Sequence, residues 1–385
     1  HAGRGGVGAV MGAKGVKVIV LDDNGMPMRS PKDPEKFKAA NKAFVQGLKK
    51  HPITGQGLPS FGTNILTHLI NDAGALPTHN FQTGHFDGAG NISGETQSKI
   101  MKSRGGTVAK GCHKGCVIRC SGIYNDKDGN YLTKRTEYET VWAHGANCGI
   151  DDMDVVAMLD RLDDDYGLDT IEMGAAIGVA MEAGLAKFGD GEAAITLLKE
   201  VGNGTPQGRN LGNGAAVTGK VFGVERVPVV KGQALPAYDP RGVKGTGVTF
   251  ATTPMGGDHT AGLTIFAPVD HHRAEGQVAL SRTTQVTRAA YDALGLCAFL
   301  LGSTGSRPGL VTGMLNAAYG TDLAPGWVAE LGREVIAIER QFNRRAGLTS
   351  AADRLPRFFS EESLSPHGEV FDVPDEALDA IWEEG

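Results

Sequence analysis

The sequence predicts a mainly α-helical protein, two helical domains behind a short N-terminal β segment. Apolar residues recur at helical spacing over most of the chain, often behind a capping residue or a proline. β signal is sparse beyond one early run. Prolines and glycines interrupt the helical pattern at Val227-Pro228-Val229-Val230-Lys231-Gly232 and again at Leu235-Pro236-Ala237-Tyr238-Asp239-Pro240-Arg241-Gly242. That break places a domain boundary near residue 235, with segments 1–30, 31–235 and 236–385.

The early run is Val16-Lys17-Val18-Ile19-Val20-Leu21, rich in β-branched residues and closed by Asp22-Asp23-Asn24-Gly25. It reads as a strand with no partner upstream. The chain starts at His1 without an initiator Met or a signal segment, so the expectation is a fragment lacking its N-terminal portion. A helix from Pro34 to Lys50 opens behind Asp33. Further helices are expected near 63–73, 94–103, 137–146, 152–166, 170–187 and 191–201. A loop-rich stretch follows from Gly202 to Asn213. Beyond the break, helices are expected over 272–294, 308–318, 325–345 and 374–383.

Composition excludes several classes. Lys plus Arg is 38 against 44 Asp plus Glu, a net charge of −6, without the basic excess of a non-specific nucleic-acid binder. No apolar run reaches the length of a membrane span. Of 385 residues 56 are glycine, with no collagen period, and many sit in loops beside ionisable residues.

The five cysteines, without a secretory signal, point to a reducing compartment. Cys112, Cys116 and Cys120 form C-x3-C-x3-C, and Gly111 and Gly115 let that segment curl so that its thiolates meet. Soft thiolates select iron–sulfur clusters, zinc or copper(I). Three in one loop plus a distant fourth suit a [4Fe–4S] cube, whereas zinc more often uses C-x2-C pairs. Buried inert thiols are the plain alternative.

Gly3-Arg4-Gly5-Gly6-Val7-Gly8 matches G-x-G-x-x-G, but no strand precedes it, as a dinucleotide site requires. A glycine turn whose amides, with Arg4, hold an anion fits better. Asp164-Asp165-Tyr166-Gly167-Leu168-Asp169 and Asp292-Ala293-Leu294-Gly295-Leu296-Cys297 share the form D-x-x-G-L at helix ends. Each glycine suits a left-handed cap that would turn the following residues toward a ligand. As single motifs, both could be ordinary helix stops. Glu137 and Glu139 open a helix and, two residues apart, diverge, so at most one faces a buried site. His259 lies in the glycine-rich Met255-Gly256-Gly257-Asp258-His259-Thr260, while His113, His144, His271 and His272 read as structural.

Together these residues resemble the aldehyde ferredoxin oxidoreductase family of tungsten enzymes. The likeness runs from the Ala2–Gly12 opening through the cysteine loop, Glu137-Tyr138-Glu139-Thr140, Asn147-Cys148-Gly149-Ile150, both D-x-x-G-L segments and Leu235–Gly242. It implies a tungsten or molybdenum ion held by two pterins between domains. Asp164, Leu168 and Asp169 would serve one pterin, Asp292 and Leu296 the other. Arg4 and glycine neighbours such as Gly5 would contact pterin phosphate. Cys112, Cys116, Cys120 and Cys297 would ligate the [4Fe–4S] cluster, leaving Cys148 in the core. The family spaces its first two cysteines C-x2-C, and Gly115 absorbs the extra residue found here.

The resemblance further implies oxidation of a small aldehyde to its carboxylic acid. Water attacks the carbonyl, a glutamate takes the proton (Glu139 in preference to Glu137), and His259 polarises the carbonyl or relays protons. Electrons leave singly through the cluster to ferredoxin or to an iron–sulfur or flavin partner subunit. The expected setting is cytoplasmic, with a homo-oligomer and with neither nucleic acid nor membrane as partner. Competing readings are a ring-reducing subunit of the benzoyl-CoA reductase type, a zinc site in the cysteine loop, and a non-catalytic helical fragment.

Overall fold

The computed structural model describes residues 3–27, 29–305 and 307–383. After the glycine turn comes α1 (Val7–Ala13), then α2 (Pro34–Lys50), which starts where Asp33 accepts the Lys36 N–H and Pro34 fills the first turn. Short helices α3 (Leu58–Phe61) and α4 (Leu66–Asp72) lead to α5 (Gly94–Ser103), capped by Ser93. An antiparallel sheet follows in the order β1 (Thr107–Lys110), β2 (Ser121–Asn125), β3 (Tyr131–Lys134), with Lys110 opposite Ser121 and Tyr124 opposite Thr133. Next come α6 (Tyr138–His144), α7 (Met153–Tyr166), α8 (Thr170–Glu182), α9 (Gly191–Asn203), α10 (Pro206–Gly212) and α11 (Ala215–Phe222). A hairpin of β4 (Val229–Val230) and β5 (Gln233–Ala234) turns at Lys231 and Gly232, both with positive φ as a two-residue hairpin loop requires. The remainder is α12 (Lys244–Thr252), α13 (Gln277–Ala293), α14 (Leu301–Thr304), α15 (Pro308–Tyr319), α16 (Trp327–Arg345), α17 (Phe358–Glu361) and α18 (Asp375–Asp379).

The protein is mainly helical, as expected. Its central element is α8, buried from Met173 to Met181 without a polar face, as a core helix should be. α6 packs close against it because Gly174 carries no side chain: a Cβ there would meet Ala143 at 2.5 Å. This larger apolar cluster takes in Trp142, Ile177, Phe250 and Phe359 from both sides of residue 235. A second, smaller cluster holds Phe44 and Leu48 of α2, Ile118 of the cysteine loop and Tyr291 of α13, with Cys116, Cys120 and Leu296 packed against it.

Several expectations are corrected. Residues 16–21 form no strand, and Val18, Ile19, Val20 and Leu21 are 70%, 69%, 81% and 91% exposed. Among the described residues no neighbouring backbone supplies the ladder hydrogen bonds a strand needs, so no N-terminal β segment forms. The stretch 202–213 contains α10, started by Thr205 accepting the Gly208 N–H with Pro206 in the first turn. α8 ends at Glu182 rather than near 187, because Gly184 turns left-handed at φ 82. α12 had no sequence signature since it is buried all round, which removes the amphipathic period. β1–β3 escaped notice because each is only four or five residues long and partly buried on both faces. No described helix is long and apolar enough to cross a membrane.

Candidate functional site

The cysteine loop is the connection between β1 and β2. The sheet fixes both ends of the loop, while Gly115 (φ 88) and Arg119 (φ 60) bend it back on itself. Sγ of Cys112, Sγ of Cys116 and a ring nitrogen of His113 lie within 4.8 Å of one another. The Arg119 amide donates to Cys116 Sγ at 3.4 Å. Burial pushes the Cys120 thiol up to about 12, with Glu137, Cys297, Cys112 and Cys116 adding in the same direction. Cys297 is likewise raised, by burial first and then by Cys112 and Cys116. The four thiols are thus electrostatic neighbours although 177 residues separate Cys120 from Cys297. All are reduced. Cys297 and Cys112 are exposed, and Cys116 and Cys120 half-buried, a gradient that leads from the core to the surface. The group whose ligand atoms all lie within 4.8 Å of one another is thus Cys112, His113 and Cys116, while Cys120 and Cys297 stand outside it, on segments that pack into the same apolar cluster as the loop. Cys148 stands apart, fully buried, donating to the Ala143 carbonyl at 3.3 Å.

The two D-x-x-G-L segments fold identically. Gly167 N–H donates to the Asp164 carbonyl at 3.3 Å and Leu168 N–H to the Asp163 carbonyl at 2.9 Å. Gly295 N–H donates to the Asp292 carbonyl at 3.0 Å and Leu296 N–H to the Tyr291 carbonyl at 2.9 Å. These are paired Schellman ends, and the glycines adopt φ 71 and φ 66 as that motif demands. The pattern therefore reads as a backbone device that delivers its sixth residue, Asp169 or Cys297, past a helix end. The side chains diverge after that. Asp164 is ion-paired to Lys134 at 2.6 Å. Asp169 caps α8 through Ile171 N–H at 3.0 Å and pairs with Arg4. Asp292 is half-exposed, 3.7 Å from Arg288, with its carboxyl raised by burial.

Arg4 connects the N-terminal turn to the centre. Its Nε meets Asp169 at 2.9 Å, one terminal nitrogen meets Asp258 at 3.2 Å, and the other donates to the Ala234 carbonyl at 2.7 Å. Gly5 N–H donates to Gln233 Oε1 at 3.1 Å. The expected anion cradle is therefore already occupied by protein acceptors, with the Arg4 charge balanced by two carboxylates.

Glu137 and Glu139 do diverge, but both are largely buried. Glu137 faces Thr63 and Arg135 on the thiol side. Glu139 faces the Arg4 side: its Oε2 accepts Ala237 N–H at 2.9 Å, and His259 Nε2 stands 3.6 Å from Oε1. Burial raises the Glu139 carboxyl, opposed first by His259. Glu139 Oε1 and His259 Nδ1 are buried and lack a hydrogen-bond partner. Such orphaned atoms mark a place where a further polar group belongs. A cavity of about 630 Å³ adjoins this region, lined by Met255, Thr260, Gln285, Asp292, Glu339 and Phe342 among others.

Three participants were missed by the sequence reading. Asp258 is 1% exposed and receives Arg4; its position beside His259 was the available signal. Glu172 accepts Ala215 N–H at 2.9 Å and Ala234 N–H at 2.8 Å, so it tethers α11 and β5 to α8, and no local pattern announces that. His113, read as structural, lies beside two thiols. His144 is a core residue paired at 2.6 Å with buried Asp163.

The family described as "Aldehyde ferredoxin oxidoreductase, domains 2 & 3" matches residues 39–384. The chain is 35% identical over 398 residues to a tungsten-containing aldehyde ferredoxin oxidoreductase of Pyrococcus horikoshii, with 95% of this chain and 63% of the relative covered. To the protein of the same description from Pyrococcus furiosus it is 33% identical over 391 residues, again with 95% and 63% covered. It thus spans less than two thirds of the length of these relatives. Among solved structures, the active-site complex BamBC of benzoyl coenzyme A reductase with 1,5-dienoyl-CoA contains a similar chain. The TM-score is 0.73 at 14% identity, covering 98% of this chain and 65% of the other, a likeness of fold.

Proposed function

The chain belongs to the aldehyde ferredoxin oxidoreductase family, and from that premise we propose that it carries the cluster and pterin-binding helical domains, 31–235 and 236–385, of an enzyme oxidising small aldehydes to carboxylic acids. A tungsten- or molybdenum-bispterin centre, when bound, supplies the two-electron oxidation, and a [4Fe–4S] cluster conducts the electrons out. Cys112, Cys116, Cys120 and Cys297 hold the cluster. Asp164, Leu168 and Asp169 border one pterin, Asp292 and Leu296 the other; Arg4 and Gly5 reach its phosphate end only by exchanging their present partners Asp169, Asp258, Ala234 and Gln233. Glu139 takes a proton at Oε1 from the water that adds to the aldehyde carbonyl, and burial makes it a stronger base than an ordinary glutamate. His259, 3.6 Å away, orients that carboxylate and donates toward the substrate oxygen. Glu137 sits on the thiol side, so its part is to hold a proton near the cluster rather than to meet substrate.

The observation that carries this reading is the packing of Leu294, Leu296 and Phe299, on either side of Cys297, into one apolar cluster with Cys116, Ile118 and Cys120 of the cysteine loop. Anaerobic reconstitution tests it: about four irons and four sulfides per chain, with a broad visible absorption, are expected. Cys297→Ser should lose much of that iron, whereas Cys148→Ser should retain it. Tightly bound zinc in place of iron would refute the cluster. For the complete enzyme, aldehyde-dependent dye reduction supports the aldehyde reaction, and reduction of a CoA thioester ring would support the benzoyl-CoA type instead.

A further inference from the structure

The three segments that meet around the thiols share a charge pattern. From Lys36 to Asn71 the sequence contains Lys36, Lys38, Lys42, Lys49 and Lys50 and no Asp or Glu. From Thr96 to Asn125 it contains Lys99, Lys102, Arg104, Lys110, Lys114 and Arg119, again with no acid. From Ala293 to Thr321 it contains Arg307 and no acid. In a chain of net charge −6, these stretches are the exception. They are far apart in sequence, and folding brings them together: Phe44 and Leu48 of α2, Ile118 and Cys116 of the loop, and Leu296 and Phe299 beside Cys297 pack in one apolar cluster.

The basic side chains stand outside that cluster. Lys49, Lys50, Lys110 and Lys114 are exposed, and among the described residues none of their side chains forms an ion pair or hydrogen bond. Exposed Cys112 sits between Lys110 and Lys114. The acids Asp126 and Asp128 belong to the β2–β3 turn, at the opposite end of the sheet from the thiols. Of the acids near the thiols, Glu137 is turned inward and held by Thr63, and Asp292, five residues before Cys297, is half-exposed but lies 3.7 Å from Arg288.

We propose that this basic rim around Cys112 and Cys297 is the docking surface for a small acidic one-electron carrier protein. The proposal rests on the cluster reading above. In each encounter one electron leaves the reduced cluster and reduces the carrier, with no proton or bond changing hands. Unpaired exposed lysines favour this role because they lose no internal partner on binding and steer an anionic protein to the thiol edge.

The test uses the anaerobically reconstituted chain and a small acidic ferredoxin as probe, with cationic cytochrome c as the opposite-charge control. Binding of the ferredoxin should weaken steeply between low and high salt, and cytochrome c should not bind. Lys110→Glu with Lys114→Glu should weaken ferredoxin binding about tenfold or more at unchanged iron content. Reoxidation of the reduced cluster by ferredoxin should slow in parallel, while reoxidation by a small neutral dye stays the same. Lys49→Glu with Lys50→Glu, on α2 rather than in the loop that carries the ligands, should give the same direction at unchanged iron content. Charge-reversal variants that hold iron and bind ferredoxin like the parent would overturn the docking surface alone. A parent chain that takes up no iron would overturn the cluster reading and this surface with it.

Discussion

Glu139 is a carboxylate whose two oxygens have different lives: Oε2 is tied to the Ala237 amide, and Oε1, buried without a hydrogen bond, has His259 at 3.6 Å. Burial raises its proton affinity, which sets two expected outcomes. In the complete enzyme, turnover should rise as pH climbs through that raised value, because only the ionised form accepts a proton; Glu139→Gln should cost about 10²–10⁴-fold in kcat at unchanged metal content. The second outcome is thermodynamic. A carboxyl more basic in the fold than in the unfolded chain binds more protons when folded. Its contribution is present in acid, below the unfolded value, and is lost as pH rises through the folded one. Urea unfolding across that window should therefore show a flatter pH slope for Glu139→Gln than for the parent. The glutamates and His259 were legible in the sequence because polar residues in glycine-rich or helix-opening contexts invite notice. Glu172 was not, because its partners Ala215 and Ala234 are backbone amides on other elements.

At the scale of elements, the D-x-x-G-L turns separate backbone geometry from ligand chemistry. Both glycines hold a left-handed conformation that a Cβ disfavours. Gly167→Ala and Gly295→Ala should each destabilise the protein by about 1–2 kcal/mol, read from denaturant midpoints. Their effects on iron should differ. Gly295→Ala shifts Cys297 and should lower iron content, whereas Gly167→Ala shifts only Asp169 and should leave it intact. The helices that end in these turns, α7 and α13, were readable because each has one polar face, and α7 also has the Asp152 cap. α12 and β1–β3 were not, since burial on all sides or a length of a few residues removes the periodic signal. The Val16–Leu21 run shows the opposite failure: its composition suits a strand, but a strand is a property of paired backbones.

For the whole molecule, Arg4 is the tie between the N-terminal turn, α8 and the His259 loop. Its partners Asp169 and Asp258 have side chains 16% and 1% exposed. Arg4→Ala would leave Asp258 buried without its cation, so a loss of about 3 kcal/mol is expected in thermal or chemical unfolding. Arg4→Lys should recover only part of it, since an ammonium cannot reach two carboxylates and a carbonyl in one plane. The same long-range assembly creates the basic rim around the thiols. Net charge, a sum over the chain, concealed it; proximity in space revealed it.

By itself, the sequence determined what is local or compositional: the helical class, most helix starts, the glycine-capped turns, and the clustering of three thiols in one loop. It also carried enough ordered motifs to indicate the family. Only the tertiary structure decided which distant groups meet. The segment around Cys297 against the cysteine loop, Arg4 between Asp169 and Asp258, and Glu139 opposite His259 each depend on packing across more than one hundred residues of chain. Periodicity is a property of neighbours along a backbone, whereas convergence is set by how apolar faces bury one another.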